Sequence, residues 1–484
     1  MNRLSLWRRE LMTDWENIYK KTMAQSRDMK KTISRRQMIK IMAATAATAS
    51  MGAGSRIASA DTKGPGWYAD SSLKGKVTMF VSAGQRWELP ARGVLPLFNE
   101  RFPNVEVDIQ PGPHGEMVTK AMMLASSKSK AMDVLYTDFG QWPAFHAVNA
   151  MEDLEPFAAM DSGWYDDYKK DTPTGVQYRV PANSSGTLYG LTGDGNAKLH
   201  FYRRDLMEAA GINKVPETWE EALEVCAALH KPEKDQYGFI TTARRGGFAG
   251  WVFWGMLASY GGEWFDKQGE GGWHPAFNND KAYQALETLM KLMKYRHPVT
   301  LNATDNECNT ALANGSAVYA PIQWGTAVLN NPEFSKFPDD IGTGLVPRGE
   351  TAESSHRPLM GGLGQYVSAY SENKEVAWEW IKHLNSGDYT DSRISDAYIE
   401  HTGQPARISM LNKYEDIRPH FAGLKKSFPV AVPFVPLIPE AFTLSDIIGN
   451  EVTAVITKEK SIDDALKAMD KGVEGVMMDS GYYG

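Results

Sequence analysis

The stretch Lys74-Gly75-Lys76-Val77-Thr78-Met79-Phe80-Val81-Ser82-Ala83-Gly84 decides how the chain is read. Its apolar centre, Val77–Val81, is rich in β-branched and aromatic residues and bounded by polar residues and glycine, which predicts a strand. Working outward, a helix is expected over Leu89–Arg101, with Val94, Leu97 and Phe98 on one face. Val105-Glu106-Val107-Asp108-Ile109 alternates as a second strand. Another helix spans Gly115–Ser127, and a third strand, Asp133–Tyr136, runs into Thr137-Asp138. Strand and helix alternating over short loops predict an α/β domain with a mostly parallel sheet.

The pattern returns further on. Lys198–Arg203 reads as a strand, followed by a short helix Asp205–Ala210 closed by Gly211. Thr218 with Glu221 three residues later is a capping box opening the next helix. Tyr237–Thr241 and Ala317–Pro321 read as strands, and Phe248–Tyr260, Asp280–Lys294 and Val376–Leu384 as helices. Over 484 residues this alternation implies roughly two to four domains. With 42% hydrophobic and 23% charged residues the composition is that of a globular protein. Eighteen consecutive apolar residues occur nowhere, which excludes a polytopic membrane protein.

Charge is unevenly placed. Of 52 basic and 59 acidic residues, twelve and four fall in residues 1–60, leaving the body near −15. A body of that charge is poorly suited to neutralising phosphates, so no nucleic-acid partner is expected. The basic start has its own explanation. Ser34-Arg35-Arg36-Gln37-Met38-Ile39-Lys40 precedes a mild apolar stretch from Ile41 to Met51, then Ala58-Ser59-Ala60 before Asp61. Paired arginines, a weakly hydrophobic core and a small-x-small triplet read as a twin-arginine export signal with cleavage after Ala60. Translation could start at Met1, Met23 or Met29. Cys226 and Cys308 are the only cysteines, too few for a disulfide scaffold; whether they pair is left open by sequence.

Enzyme signatures fail in turn. His-Glu-x-x-His, Cys-x-x-Cys, the phosphate-cradling Gly-x-x-x-x-Gly-Lys and Gly-x-Ser-x-Gly are all absent. Ser127-Lys128-Ser129-Lys130 reads as a solvated helix end, and Gly361-Gly362-Leu363-Gly364 lacks the spacing of a dinucleotide fingerprint. No metal and no cofactor is assigned. Tryptophans say more. Trp87, Trp142, Trp251 and Trp324 lie in polar or glycine-rich contexts, whereas Trp378 and Trp380 lie on a helix and are expected in the core. An aromatic face beside carboxylates and amides suits a sugar, whose C–H face stacks while its hydroxyls hydrogen-bond.

The order of segments resembles a known family. Asp133-Val134-Leu135-Tyr136-Thr137-Asp138, Leu188-Tyr189-Gly190-Leu191 and Phe201-Tyr202-Arg203-Arg204-Asp205-Leu206 lead into Pro216-Glu217-Thr218-Trp219. Ser259-Tyr260-Gly261-Gly262, Ala313-Asn314-Gly315-Ser316, Gln323-Trp324-Gly325 and Gly403-Gln404-Pro405-Ala406-Arg407 follow. From about residue 76 to the end this is similar to the family 1 extracellular solute-binding proteins, the maltose-binding-protein-like carbohydrate receptors of ABC importers. The resemblance implies a two-lobed α/β periplasmic binding protein fold of type II, with the ligand cleft between lobes. Closure would be driven by ligand contacts from both lobes. It implies lobe 1 over 61–191 and 359–403, lobe 2 over 192–358, and a bracing helical segment over 404–484. Crossings are expected near Leu191–Gly193, Pro358–Gly361 and Gly403–Pro405.

Residue by residue, the resemblance assigns Asp138 and Asp194 to sugar hydroxyls, Trp324 to stacking, Gly362 (with Gly361) to close backbone approach and Arg407 to the site. Thr192 stands where relatives carry proline. Gln85, Trp87, His114, Gln141, Asn196 and Trp251 are added as ligand-binding candidates from their positions at lobe edges. The implied partners are a carbohydrate and an inner-membrane permease, the implied compartment is the periplasm, and the protein is expected to be a monomer and not an enzyme. Two alternatives stay open. One is an exported hydrolase using Asp138 and a second carboxylate roughly 5–9.5 Å away. The other is the same fold holding a polyol or glycerol phosphodiester, with Arg244-Arg245 as the basic pair offered to a phosphate.

Overall fold

Eight strands carry the fold of the described residues. They are β1 (Lys74–Ser82), β2 (Asn104–Gly112), β3 (Val134–Asp138), β4 (Leu191–Arg203), β5 (Tyr319–Trp324), β6 (Ile341–Gly344), β7 (Leu359–Val367) and β8 (Val432–Pro433). The computed structural model describes residues 62–84, 87–173, 186–266 and 272–483. The export signal lies outside them.

The strands follow the order β2-β1-β3-β7-β4-β5, with β6 added to β4 and β8 to β7. Parallel pairing holds for β2-β1-β3, the part built by the opening stretch. Beyond β3 the long pairings are antiparallel: β7 on β3, and β4 on β7, β5 and β6. The expected mostly parallel sheet is therefore confined to one end. β4 is the reason. Its first half, Leu191–Ala197, pairs with β7, and its second half, Lys198–Arg203, pairs with β5 and β6. One thirteen-residue strand thus belongs to two sheets and enters each against its neighbours' direction.

Helices cover these sheets where the apolar periodicity placed them. The Glu88–Arg101 helix buries Val94 and Phe98. Trp380, on the Lys374–Leu384 helix, meets Phe98 edge-on at 5.1 Å and points its indole N–H at Met79 Sδ of β1. Trp378 and Trp380 are core residues, as their helix implied. The Thr218 capping box forms as expected, Glu221 N–H bonding to Thr218 Oγ1. Two strand expectations change. Tyr237–Thr241 makes only single bridges, Tyr237 to Ala317 and Phe239 to Arg296, because it changes partner after one residue. β5 begins two residues later than expected and includes Trp324, and its register slips between Leu199 and Phe201 of β4. Pro321 sits opposite that slip. A residue without an N–H cannot continue the ladder, which favours a bulge on this edge strand.

The C-terminal segment binds the whole together. Gly195 of β4 lies against Ala406 and Phe428, and Gly423 against Leu199, too close for larger side chains to fit unmoved. The Gly247–Ser259 and Ala441–Ile456 helices touch through Gly250 and Gly449, where a Cβ would strike the opposing backbone. Cys226 and Cys308 are both buried and free, and burial pushes each thiol up.

Candidate functional site

Parallel strands β2-β1-β3 bring their C-terminal ends to one edge, the edge where open α/β sheets bind ligands. Ser82 ends β1, His114 follows β2 and opens a helix, and Asp138 ends β3. Their side chains form a chain. Ser82 Oγ lies 2.7 Å from His114 Nδ1, and His114 Nε2 lies 2.8 Å from Asp138 Oδ2. Burial disfavours the charged ring, but the Asp138 charge and its hydrogen bond outweigh that and hold the His114 pKa above its ordinary value. Trp87, just before the Glu88–Arg101 helix, lies 6.3 Å from the His114 ring. Gln141 closes the short turn after Asp138 and is half-buried. Gln85 lies outside the described residues.

The second wall is aromatic. Trp324 ends β5, with the Lys198 ammonium 4.5 Å over its ring. A side chain at Gly361 would run into that ring, so glycine is what lets the indole lie across β4 onto β7. Gly362, opposite Gly195, is as closely approached by the Asp194 carbonyl. Asn196, opposite Gly361, donates its amide to the Gly325 carbonyl at 3.3 Å. Trp251 stands edge-on to Phe434 at 5.7 Å and to Phe442 at 6.1 Å, and its buried indole N–H has no hydrogen-bond partner. Phe434 joins the walls. It meets Trp324 at 5.8 Å and Phe139, the residue after Asp138, at 6.0 Å.

The structure therefore brings Trp87, His114 and Asp138 together at the strand ends, and Trp324 and Trp251 together against Phe434, with Asn196, Gly361 and Gly362 beside Trp324; Phe434 also meets Phe139, the residue after Asp138. Two candidates stand apart. Asp194 is wholly buried within β4, paired with Leu363 and bridged to Pro405, because β4 is covered on both faces there. Arg407 is buried and spends its guanidinium on Asp167, Asp171 and the Asn385 carbonyl. Trp142, which the sequence sets in a polar, glycine-rich context, opens the Trp142–Ala147 helix, fully buried against Gly190 and Gly364. The Arg244-Arg245 pair diverges: Arg244 lies over Phe248 and Arg245 reaches Glu459.

Sequence reasoning missed Phe434, Ser82 and Lys198. Phe434, between Pro433 and Val435 in a proline-spaced run, carries no periodic signal. Among the described residues, no group of three or more His, Cys, Asp and Glu is placed to hold a metal ion, and no helix is long and apolar enough to cross a membrane.

The family model of bacterial extracellular solute-binding proteins matches residues 80–390. A mannitol-binding protein of Pseudomonas aeruginosa is 25% identical over 351 residues, 68% of this chain and 77% of that protein. A solute-binding protein of an ABC transporter from Agrobacterium radiobacter K84, in complex with ribitol, superposes with a TM-score of 0.72 at 21% identity. That match covers 84% of this chain and 99% of the other. Maltose-bound MalE3 of T. maritima gives 0.70 at 23% identity, covering 83% and 99%. The last two likenesses carry the two-lobed fold.

Proposed function

The chain belongs to the family of bacterial extracellular solute-binding proteins, and from that premise we propose that it captures a carbohydrate or polyol and delivers it to an ABC permease. The observation that carries this reading is a polar edge at the strand ends, the His114–Asp138 pair, together with an aromatic cluster in which Trp324 and Trp251 both meet Phe434. Carboxylate and imidazole take hydroxyls while indoles cover C–H faces. Relatives crystallised with ribitol, D-mannitol and maltose bind ligands of that chemistry.

The proposed lobes are 61–191 with 359–403, and 192–358, braced by 404–484; the partner change at Ala197–Lys198 of β4 supports a crossing in that strand. The proposed route is twin-arginine export to the periplasm, cleavage after Ala60, and function as a monomer. Residues just past that cleavage point are built into the fold: Gly64 and Gly66 N–H groups bond to the Thr390 and Tyr389 carbonyls at 2.9 Å. Export should fail when Arg35 and Arg36 are both replaced by lysine.

No bond-making step is assigned. Ser82, His114 and Asp138 are the residue types of a hydrolytic triad, but Ser82 is only 2% exposed. A nucleophile must reach its substrate, and this hydroxyl instead props the histidine. The testing experiment is a thermal-shift screen of residues 61–484 against sugars, oligosaccharides, polyols and glycerol phosphates. A ligand at a hundred times its Kd adds about 2.7 kcal/mol of stability. A shift with an unchanged sugar or polyol supports the reading. Turnover, or no shift with any of them, overturns it.

A further inference from the structure

Beside Trp324 lies a second charged pair that the reading above does not use. Lys198, on the half of β4 that pairs with β5, has a side chain only 1% exposed. Its Nζ lies 4.5 Å from the Trp324 ring centre and 3.8 Å from Asp305 Oδ1. Asp305 is the first residue of the Asp305–Asn314 helix, and its Oδ1 is a buried atom that accepts no hydrogen bond. The separation exceeds a direct N–H···O bond of about 2.7–3.2 Å. It suits one oxygen lying between the two, accepting from the ammonium and donating to the carboxylate. Only a hydroxyl or a water can do both.

We infer that Lys198 and Asp305 form a hydroxyl-binding subsite of the second wall, and that with His114–Asp138 they select a neutral polyhydroxylated ligand over an anionic one. This rests on the carbohydrate or polyol reading and deepens it. Each pair joins one cation to one carboxylate, so neither wall offers the surplus positive charge that a phosphate or uronate needs. Burying an uncompensated anion against a pair that is already neutralised is costly. Arg244 is drawn over Phe248 and into the field of Glu307.

The test uses protein purified in its exported form and calorimetric titration with D-mannitol, ribitol, maltose and glucose. If wild type binds none of them, the underlying reading fails and takes this subsite with it. If wild type binds one, Lys198→Met and Asp305→Asn should each weaken that ligand about 10- to 100-fold. The double variant should be no worse than about the weaker single one, because both remove one bridge. Asp305→Asn guards against a folding artefact, since asparagine keeps the shape of the aspartate side chain. In wild type, glucuronate should bind at least about tenfold more weakly than glucose, or mannitol 1-phosphate than mannitol. Asp305→Asn, which removes a negative charge, should narrow that gap. Binding by both single variants within threefold of wild type overturns the subsite. So does a complex structure with a water and no ligand oxygen between Nζ and Oδ1. Equal wild-type affinity for the charged and neutral members overturns the selectivity.

Discussion

The two walls of the site divide the work differently. The first is polar and set by strand ends: Ser82, His114 and Asp138 meet because three parallel strands stop at one edge. The second is aromatic and set by close approach: Trp324 lies where it does because Gly361 leaves room and Phe434 closes its edge. In the proposed site the first wall would supply direction and the second buried area. On that proposal, directed hydrogen bonds would choose among ligands, whereas aromatic burial would account for most of the affinity.

Two tryptophans give the strongest way to break that contrast. Trp324→Ala should lower ligand affinity about 30-fold or more while leaving the ligand-free melting temperature little changed, since the indole is only half-buried. Trp142→Ala should do the reverse. Its ring is fully buried against Gly190 and Gly364, so its loss should remove about 3–5 kcal/mol of stability. Calorimetry for binding and denaturant melts for stability read both. If Trp324→Ala leaves affinity within threefold, the aromatic wall is not the ligand's. Gly361→Val comes next, because its branched side chain must displace the Trp324 ring. It should lose binding about as fully as Trp324→Ala, without removing any ligand-facing group. Asp138→Asn sharpens the polar side. It should cost about tenfold in affinity, and should shift preference between sugar epimers more than Trp324→Ala does.

The first wall was more legible than the second, for a physical reason. A parallel α/β unit announces itself through alternating periodicity, and strand ends are where its polar residues must converge. Asp138, carried by the family resemblance, and His114, added from its lobe-edge position, both fall at those strand ends. The second wall depends on contacts between distant segments. Nothing near Phe434 indicates that residues 139, 251 and 324 will meet it, and Lys198 looks like an ordinary strand lysine until Trp324 is seen lying across it. Misplacements have the same origin. Trp142 follows Gly140-Gln141 and so resembles a loop residue, but glycines at 190 and 364 open a slot that buries it. Arg407 matches a pattern, and the Ser162–Asp171 helix supplies the two carboxylates that take up its guanidinium.

The smallest effect tests the polar wall's own design. His114 has its pKa raised in the folded protein: burial opposes the charge, and the Asp138 carboxylate with its hydrogen bond overcomes that opposition. A raised folded value means that the native state holds the proton more tightly than the unfolded chain does. The stabilisation is fully present below the unfolded value of about 6.5, and it is lost as pH rises through the folded one. The ligand-free protein should therefore melt slightly lower on moving from below that window to above it. A partly exposed pair of this kind is worth about 1 kcal/mol or less. His114→Gln, which can still bond to Ser82 and Asp138 but cannot titrate, should flatten that part of the stability profile. If the slope survives the substitution, it belongs to another group, and the Ser82–His114–Asp138 chain orients the carboxylate without holding a charge of its own.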